Sequence, residues 1–212
     1  MSVTAVIPAY NEEETIGEVV SKVKAHKLVN NVIVISDGSE DNTAAIARDT
    51  GAEVIELESN LGKGAAIQTG IDIAKGDIIL FLDADLLRLT LEHIDQLLLP
   101  VINQEAEMTV GVFTAGRFTT DLAQKITPFL SGQRAVKSKL LDDIASLEMT
   151  QFGVEIALTQ YAKENNIKIK EVELQDLTHV MKEEKLGVFK GLRARLKMYW
   201  EIIKNLPRNK IK

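Results

Sequence analysis

Asp83 and Asp85 are the two residues whose chemistry is clearest in this sequence, because a single alanine separates them. Hard divalent cations prefer oxygen ligands, and two carboxylates at this spacing can converge on one ion. A bound Mg²⁺ or Mn²⁺ would neutralise a diphosphate and stabilise it as a leaving group. Aspartate pairs are common in loops, but here the apolar run 77–82 precedes the pair and predicts a buried strand. We therefore predict a cation site at the end of that strand.

Three further polar clusters follow predicted strands. They are Pro8-Ala9-Tyr10-Asn11-Glu12, Asp37-Gly38-Ser39 and Asn60-Leu61-Gly62-Lys63-Gly64. In open α/β sheets, ligands bind beyond the carboxyl ends of the strands. Each cluster alone could be a turn with a helix cap, but four clusters on one rim are hard to explain as caps. We therefore expect a ligand site at this edge of the sheet.

Strands and helices must alternate to bring these clusters together. Short apolar runs predict strands at Val3–Pro8, Asn31–Ser36, Glu53–Leu57, Asp77–Leu82 and Met108–Phe113. Helices are predicted between them at 16–23, Ala44–Asp49, Gly62–Lys75 and Leu91–Leu99, the last ending near Pro100. Asn11 with Glu14 resembles a capping box for the first helix. Later in the chain we expect a helix at Val154–Tyr161 and an edge strand at Lys168–Leu174. This alternation predicts an α/β fold with a mostly parallel sheet flanked by helices.

Composition excludes several kinds of site and partner. The 212 residues contain no cysteine, so disulfides, thiolate metal sites and cysteine nucleophiles are excluded. The sequence shows neither a signal-peptide pattern nor an apolar run of about 18 residues, which would predict a membrane-spanning helix. The net charge of −6 combines an acidic body with a basic tail, which argues against nucleic acid as a partner. We expect a cytoplasmic protein.

The basic tail is predicted to be a separate element. Residues 185–212 hold six lysines and three arginines against one glutamate, and 188–203 reads as an amphipathic helix. The predicted domain therefore covers 1–184, and we divide it into a first half at 1–115 and a second half at 116–184. The tail helix could pack on the domain or on a second subunit. Alternatively, residues 187–205 could lie on the inner face of an anionic membrane.

Four segments of the first half resemble the nucleotide-binding half of family-two glycosyltransferases, whose fold is called GT-A. The segments are VIPAYNEEETI (6–16), DGSEDNT (37–43), NLGKGAAIQTG (60–70) and DIILFLDAD (77–85). The resemblance implies that Asp37 accepts a hydrogen bond from the base and that Lys63 lies near the phosphates. It also implies that Asp83 lies near the ribose and the metal, and Asp85 on the metal. The remaining nucleotide-binding residues that it implies are Pro8, Ala9, Tyr10, Glu12 and Ala84.

The second half resembles glucosyl-3-phosphoglycerate synthases at AGRFT (115–119), PFLSGQR (128–134), FGVEI (152–156) and His179. The same features partly fit polyprenyl-phosphate glycosyltransferases. The resemblance implies that Arg117, Thr119 and Arg134 bind the acceptor. It also implies that Glu155 binds the hydroxyls of the donor sugar, and that His179 completes the metal site.

The expected activity is a metal-dependent transfer of a sugar, with UDP-glucose as donor, to a phosphorylated acceptor such as 3-phosphoglycerate. Transfer to a polyprenyl phosphate at the membrane is the close alternative. A nucleotidyltransferase and a non-catalytic nucleotide-sugar binding module are the alternatives from other classes. The catalytic residues predicted are Asp85, Arg117 and Glu155. No base is assigned among the nearby acidic residues Asp142, Asp143 and Glu148.

Overall fold

The computed structural model describes residues 1–113, 131–145 and 154–179. The chain divides into two compact units, Met1–Thr178 and His179–Lys212. Within the second unit, only His179 belongs to the described part of the chain. The predicted tail helix at 188–203 and the predicted boundary after residue 184 therefore lie outside the described residues, and both stay predictions.

The described strands are β1 (Val3–Ala9), β2 (Asn31–Ser36), β3 (Glu53–Glu56), β4 (Ile78–Phe81), β5 (Leu86–Leu87), β6 (Met108–Phe113), β7 (Arg134–Lys137), β8 (Ile169–Leu174) and β9 (Thr178–His179). Seven of these strands form one large sheet. Its strand order is β3-β2-β1-β4-β7-β6-β8, and all neighbouring pairs are parallel except those that β7 makes with β4 and β6. The predicted α/β class with a mostly parallel sheet is thus confirmed.

Helices connect the strands, and most lie where the sequence predicts them. They are α1 (Ile16–Lys24), α2 (Thr43–Asp49), α3 (Lys63–Ile73), α4 (Leu91–Ile102), α5 (Ser138–Ala145) and α6 (Val154–Glu164). Two predictions about the ends of α4 and α1 are wrong, and α6 continues to Glu164, three residues past its predicted end at Tyr161. Helix α4 continues past Pro100, because a proline two residues before the helix end removes only one hydrogen bond. Helix α1 has Thr15 as its N-cap, so Asn11 and Glu14 do not form a capping box.

Apolar side chains bury both faces of the central strands. Ala5 and Ile7 of β1 pack in one cluster with the α1 residues Ile16, Val19, Val20 and Val23. Val6 of the same strand points the other way and packs with Ile67 of α3. Strands covered on both faces read as continuous apolar runs, which is why the sequence locates them well. Their burial holds the carboxyl ends of β1, β2, β3 and β4 at one rim.

Candidate functional site

The loop after β4 carries the aspartate pair at this rim. Ala84 is 3% exposed and belongs to the core, and Leu82 and Leu86 on either side are also buried. Asp83 and Asp85 alternate with these residues, and both are only partly buried. The core therefore fixes the backbone of the loop, while the two carboxylates lie at the surface of the rim.

Lys63 and Gln133 hold the Asp83 carboxylate from two sides. The Nζ atom of Lys63 lies 2.6 Å from Oδ1 of Asp83, and Nε2 of Gln133 donates to Oδ2 at 2.8 Å. The Lys63 and Asp83 side chains remain 45% and 28% exposed. An ion pair this accessible contributes little to stability, so either partner can exchange it for a ligand charge at small cost. The contact between Lys63 and Asp83 thus joins the rim loops that follow β3 and β4.

The amino end of α3 meets the rim at Lys63. Gly62 is its N-cap and has φ 93°, a left-handed conformation that favours glycine. The first turn of α3 contains no acidic residue. The amino end of a helix carries partial positive charge and unpaired N–H groups, which suit a phosphate. Lys63 adds a full positive charge at the same place.

Asp37 fixes the loop that leads into α3. It is 3% exposed, and its two carboxylate oxygens accept hydrogen bonds from the backbone N–H groups of Leu61 and Gly62, each at 2.8 Å. A carboxylate has about four acceptor positions, so these bonds leave capacity on both oxygens. Asp37 thus shapes the loop around Lys63, and its predicted contact with the base stays a prediction.

Reciprocal hydrogen bonds join the loops after β1 and β2. The backbone N–H of Glu12 donates to Oγ1 of Thr43 at 2.7 Å, and that of Glu13 donates to Asp41 at 3.2 Å. In return, the backbone N–H of Asn42 donates to the Glu13 carboxylate at 3.1 Å. Burial opposes ionisation of Asp41, but hydrogen bonds from Thr43 and Glu13 outweigh it and lower the pKa of Asp41. These bonds hold the two loops as one unit.

The predicted nucleotide residues on β1 divide by exposure. Pro8 and Ala9 are buried at the end of the strand, whereas the Tyr10 ring beyond them is 44% exposed. Leu61 in the loop before α3 is 65% exposed. Glu12 is partly buried between the two bonded loops. The four sequence clusters therefore lie on one rim, as predicted, and their roles toward a nucleotide stay predictions.

Arg134 is almost completely enclosed at the start of β7. It is 1% exposed, its Nε donates to the Ser131 carbonyl at 2.8 Å, and its Nη1 donates to Oγ1 of Thr159 at 2.7 Å. These bonds tie the segment before β7 to α6. Acceptor binding by Arg134 stays a prediction, because the observed contacts are internal ones.

Most of the other candidate side chains lie outside the described part of the chain. Arg117, Thr119 and Glu148 lie outside the described residues, as do the side chains of Asp143 and Glu155. Asp142 is exposed on α5. His179 belongs to the second unit. Within the described ranges, no group of three or more His, Asp or Glu side chains could hold a metal ion. The predicted ligand set of Asp83, Asp85 and His179 therefore stays a prediction.

The other two histidines are structural. Nδ1 of His93 accepts a hydrogen bond from the Thr90 backbone at 3.3 Å, and its Nε2 contacts the Gln175 carbonyl at 2.8 Å. His26 is 3% exposed and bonds Asp95 at 3.2 Å.

No role for Gln133 could be predicted from the sequence, because its partner Asp83 lies fifty residues earlier and no local pattern joins them.

No helix among the described residues is long and apolar enough to cross a membrane.

Comparisons with known proteins agree with this architecture. Over 95 residues the chain is 40% identical to glucosyl-3-phosphoglycerate synthase of Mycolicibacterium smegmatis, covering 41% of this chain and 31% of that protein. It is 42% identical over 94 residues to undecaprenyl-phosphate 4-deoxy-4-formamido-L-arabinose transferase of Aeromonas hydrophila, covering 40% of this chain and 29% of that protein. The chain thus matches about a third of the length of these curated relatives.

A solved structure extends the likeness to most of the fold. It is glucosyl-3-phosphoglycerate synthase from Mycobacterium tuberculosis in complex with Mn²⁺, UDP-glucose and phosphoglyceric acid. The TM-score is 0.70 at 27% identity, and the match covers 93% of this chain and 79% of that chain. Residues 4–157, well over half of the chain, match the family described as glycosyl transferase family 2. The chain therefore belongs to glycosyl transferase family 2 and is a glycosyltransferase with a GT-A fold.

Proposed function

We propose that this enzyme transfers a glucosyl group from UDP-glucose to a small phosphorylated acid such as 3-phosphoglycerate. The observation that carries the proposal is the contact of Lys63 with Asp83, which lies two residues before Asp85. This contact is on the rim where the loops after β1, β2, β3 and β4 meet. A cationic side chain beside a carboxylate pair suits a diphosphate that arrives with a divalent cation. The likeness to a synthase solved with UDP-glucose and phosphoglyceric acid supports this choice of donor and acceptor.

The residues of the rim fit Mg²⁺ or Mn²⁺. Asp83 and Asp85 offer oxygen ligands only, and Asp83 already accepts one cationic group, the Lys63 ammonium. Such ions are often held by one or two carboxylates together with substrate phosphates and water. Two aspartates are therefore sufficient as protein ligands, with His179 as a third candidate. When bound, the ion would supply positive charge to the departing diphosphate.

The side chains of this enzyme would divide the remaining work. Lys63 and the amino end of α3 would face the diphosphate, where fixed positive charge stabilises the leaving group. Tyr10 and Glu12, with Asp37 behind them, would border the base and ribose. Arg117 is proposed to bind the acid and phosphate of the acceptor, because a guanidinium forms paired hydrogen bonds with such groups. Within that division of work, Thr119 and Arg134 would assist acceptor binding and Glu155 would bind the sugar hydroxyls.

A partition assay tests the proposal. The purified enzyme, Mn²⁺ and radiolabelled UDP-glucose are mixed with either 3-phosphoglycerate or a polyprenyl phosphate, and the products are divided between water and butanol. We expect label in a new anionic product that stays in water and forms only with 3-phosphoglycerate. Release of label as free glucose alone, or no turnover with either acceptor, would contradict the proposal.

A lipid phosphate is the second candidate acceptor. It is favoured by the likeness to an undecaprenyl-phosphate sugar transferase and by the basic composition of residues 185–212. In the same assay this alternative predicts label in butanol. It further predicts that removing residues 185–212 abolishes the butanol product but spares hydrolysis of the donor in water.

A further inference from the structure

Gln133 lies buried directly beside the proposed cation site. Its side chain is 0% exposed, and its Nε2 donates to Oδ2 of Asp83 at 2.8 Å. An ionised carboxylate can only accept hydrogen bonds, so the nitrogen end of the Gln133 amide must face Asp83. Because Gln133 is enclosed, water does not compete for this donor in the folded protein. One oxygen of Asp83 is thus bound from inside the protein.

Ser131 lies beside the other end of the same amide. Its hydroxyl is 6% exposed and has a single proton, so the 2.5 Å bond to the carbonyl of Gly111 leaves only a weak 3.1 Å contact with Oε1 of Gln133. The backbone N–H of Gln133 donates to the same hydroxyl at 3.3 Å. A flipped amide would turn its oxygen toward the Asp83 carboxylate, placing two acceptors together. The Asp83 carboxylate therefore selects one orientation of the Gln133 side chain.

Both oxygens of Asp83 are consequently held by donors from different parts of the chain. Oδ2 accepts from Gln133, whereas Oδ1 lies 2.6 Å from the Lys63 ammonium. Gly132 closes the space between them, since a methyl group on it would lie 2.5 Å from Oδ1 and 2.8 Å from the Lys63 ammonium. Lys63 is partly exposed and can move to a substrate, but Gln133 is enclosed. Gln133 is thus the permanent donor of the two.

We propose that Gln133 is a positioning residue that sets the orientation of the Asp83 carboxylate toward the cation and the nucleotide. The inference rests on the proposed function, because it gives Asp83 a ligand to receive. Partners that orient a metal-binding carboxylate typically change metal affinity or activity by about 10–100-fold when they are removed. Gln133 should therefore matter for cation binding although it does not touch the cation itself.

The central test replaces Gln133 by methionine, which has similar length but no donor group. Binding of Mn²⁺ to the enzyme in the presence of UDP, without turnover, is measured from the electron paramagnetic resonance signal of free Mn²⁺. We expect about 10–100-fold weaker Mn²⁺ binding in Gln133→Met, with a comparable loss in kcat/KM. The matched control is Gln68→Met, which removes a 2.6 Å bond from Gln68 to Asp72 on the exposed face of α3. It should bind Mn²⁺ like the unaltered enzyme.

Two further variants separate orientation from simple loss of packing. Gln133→Glu places a second carboxylate against Asp83, and two like charges raise the pKa of the pair. Its activity should therefore rise with pH over a range where the unaltered enzyme is already at its plateau. Gln133→Asn keeps an amide in the same place but shortens the side chain by one methylene group, so its donor does not reach Asp83. It should weaken Mn²⁺ binding to about the same extent as Gln133→Met, and it keeps the question testable if Gln133→Met fails to fold.

The possible results are distinct. Unchanged Mn²⁺ binding in folded Gln133→Met, while the unaltered enzyme transfers sugar, would overturn this inference and leave the proposed function standing. If Gln133→Met does not fold, wild-type Mn²⁺ binding in Gln133→Asn would overturn it in the same way. An unaltered enzyme that neither binds Mn²⁺ with UDP nor turns over a nucleotide-sugar would refute the proposed function and this inference together.

Discussion

Replacing Gly132 by alanine should remove activity while leaving the fold intact. A methyl group at this position would lie 2.5 Å from Oδ1 and 2.7 Å from Oδ2 of Asp83, and 2.8 Å from the Lys63 ammonium. The φ angle of Gly132 lies outside the left-handed region, so the backbone itself accepts alanine. The whole effect of the substitution therefore falls on the functional ends of two side chains.

The size of the displacement follows from these distances. Ordinary van der Waals contact begins near 3.4 Å, so Oδ1 of Asp83 must move by about 0.9 Å. A misplacement of about 1 Å at a reacting centre can cost on the order of 10²-fold in rate. Asp83 and Lys63 are both partly exposed and can swing away, but the movement strains the bond between Asp83 and the buried Gln133. A buried donor left without its partner costs about 1–3 kcal/mol, so we expect the free energy of unfolding to fall by no more than this.

Two measurements on the same samples test this separation. Urea unfolding gives the free energy of unfolding, and transfer from radiolabelled UDP-glucose gives kcat and KM. The matched control is Gly17→Ala, where the added methyl group would meet Ile46 of α2 at 3.0 Å and neither Asp83 nor Lys63 lies within 4 Å. It can shift stability slightly but should leave kcat unchanged. Wild-type kcat and KM in Gly132→Ala would refute the reasoning, as would a large loss of stability.

Three other substitutions test the rim in different ways. Lys63→Met should raise KM for the donor by about 10–100-fold, since a hydrogen bond to a charged group is worth about 1.5–3 kcal/mol; an unchanged KM would exclude Lys63 from the phosphates. Asp37→Asn should lower the free energy of unfolding by about 1–3 kcal/mol in urea, because an amide nitrogen cannot accept from the Leu61 or Gly62 backbone. Asp41→Asn tests the lowered pKa of Asp41. Ionised Asp41 stabilises the folded protein at pH values above its unfolded pKa of about 4, and this stabilisation is lost as the pH falls through its lower pKa in the folded protein. The unaltered and variant unfolding energies should therefore differ at neutral pH and converge in acid, and a difference independent of pH would contradict this.

The central strands could be predicted from the sequence because they are buried on both faces. Ile78–Phe81 reads as an uninterrupted apolar run and Val3–Ala9 as one interrupted only by Thr4, and a polar cluster lies at the end of each. Because parallel strands end at the same edge of the sheet, the position of Asp83 and Asp85 at this rim could be predicted from the sequence. The four-residue strand β7 could not, because it is too short to show a period and pairs antiparallel with distant strands.

The contacts that orient the site were beyond sequence reasoning. Gln133 and Asp83 meet only because β7 lies beside β4 in the sheet. The burial of Arg134 follows from the same placement, which encloses a charged side chain that local pattern assigns to the surface. Pro100 misled the prediction of α4, because a proline inside a helix removes one backbone hydrogen bond but does not have to end the helix.

Cation-dependent binding of UDP tests the central claim most directly. Titration calorimetry would measure the Kd of UDP with Mn²⁺ and with EDTA, for the unaltered enzyme, for Asp85→Asn and for the control Asp49→Asn at the exposed end of α2. We predict that the unaltered enzyme and the control bind UDP tightly with Mn²⁺ and weakly with EDTA. We predict that Asp85→Asn binds UDP weakly under both conditions. Equal affinity with Mn²⁺ and EDTA, or an Asp85→Asn variant that binds like the unaltered enzyme, would contradict it.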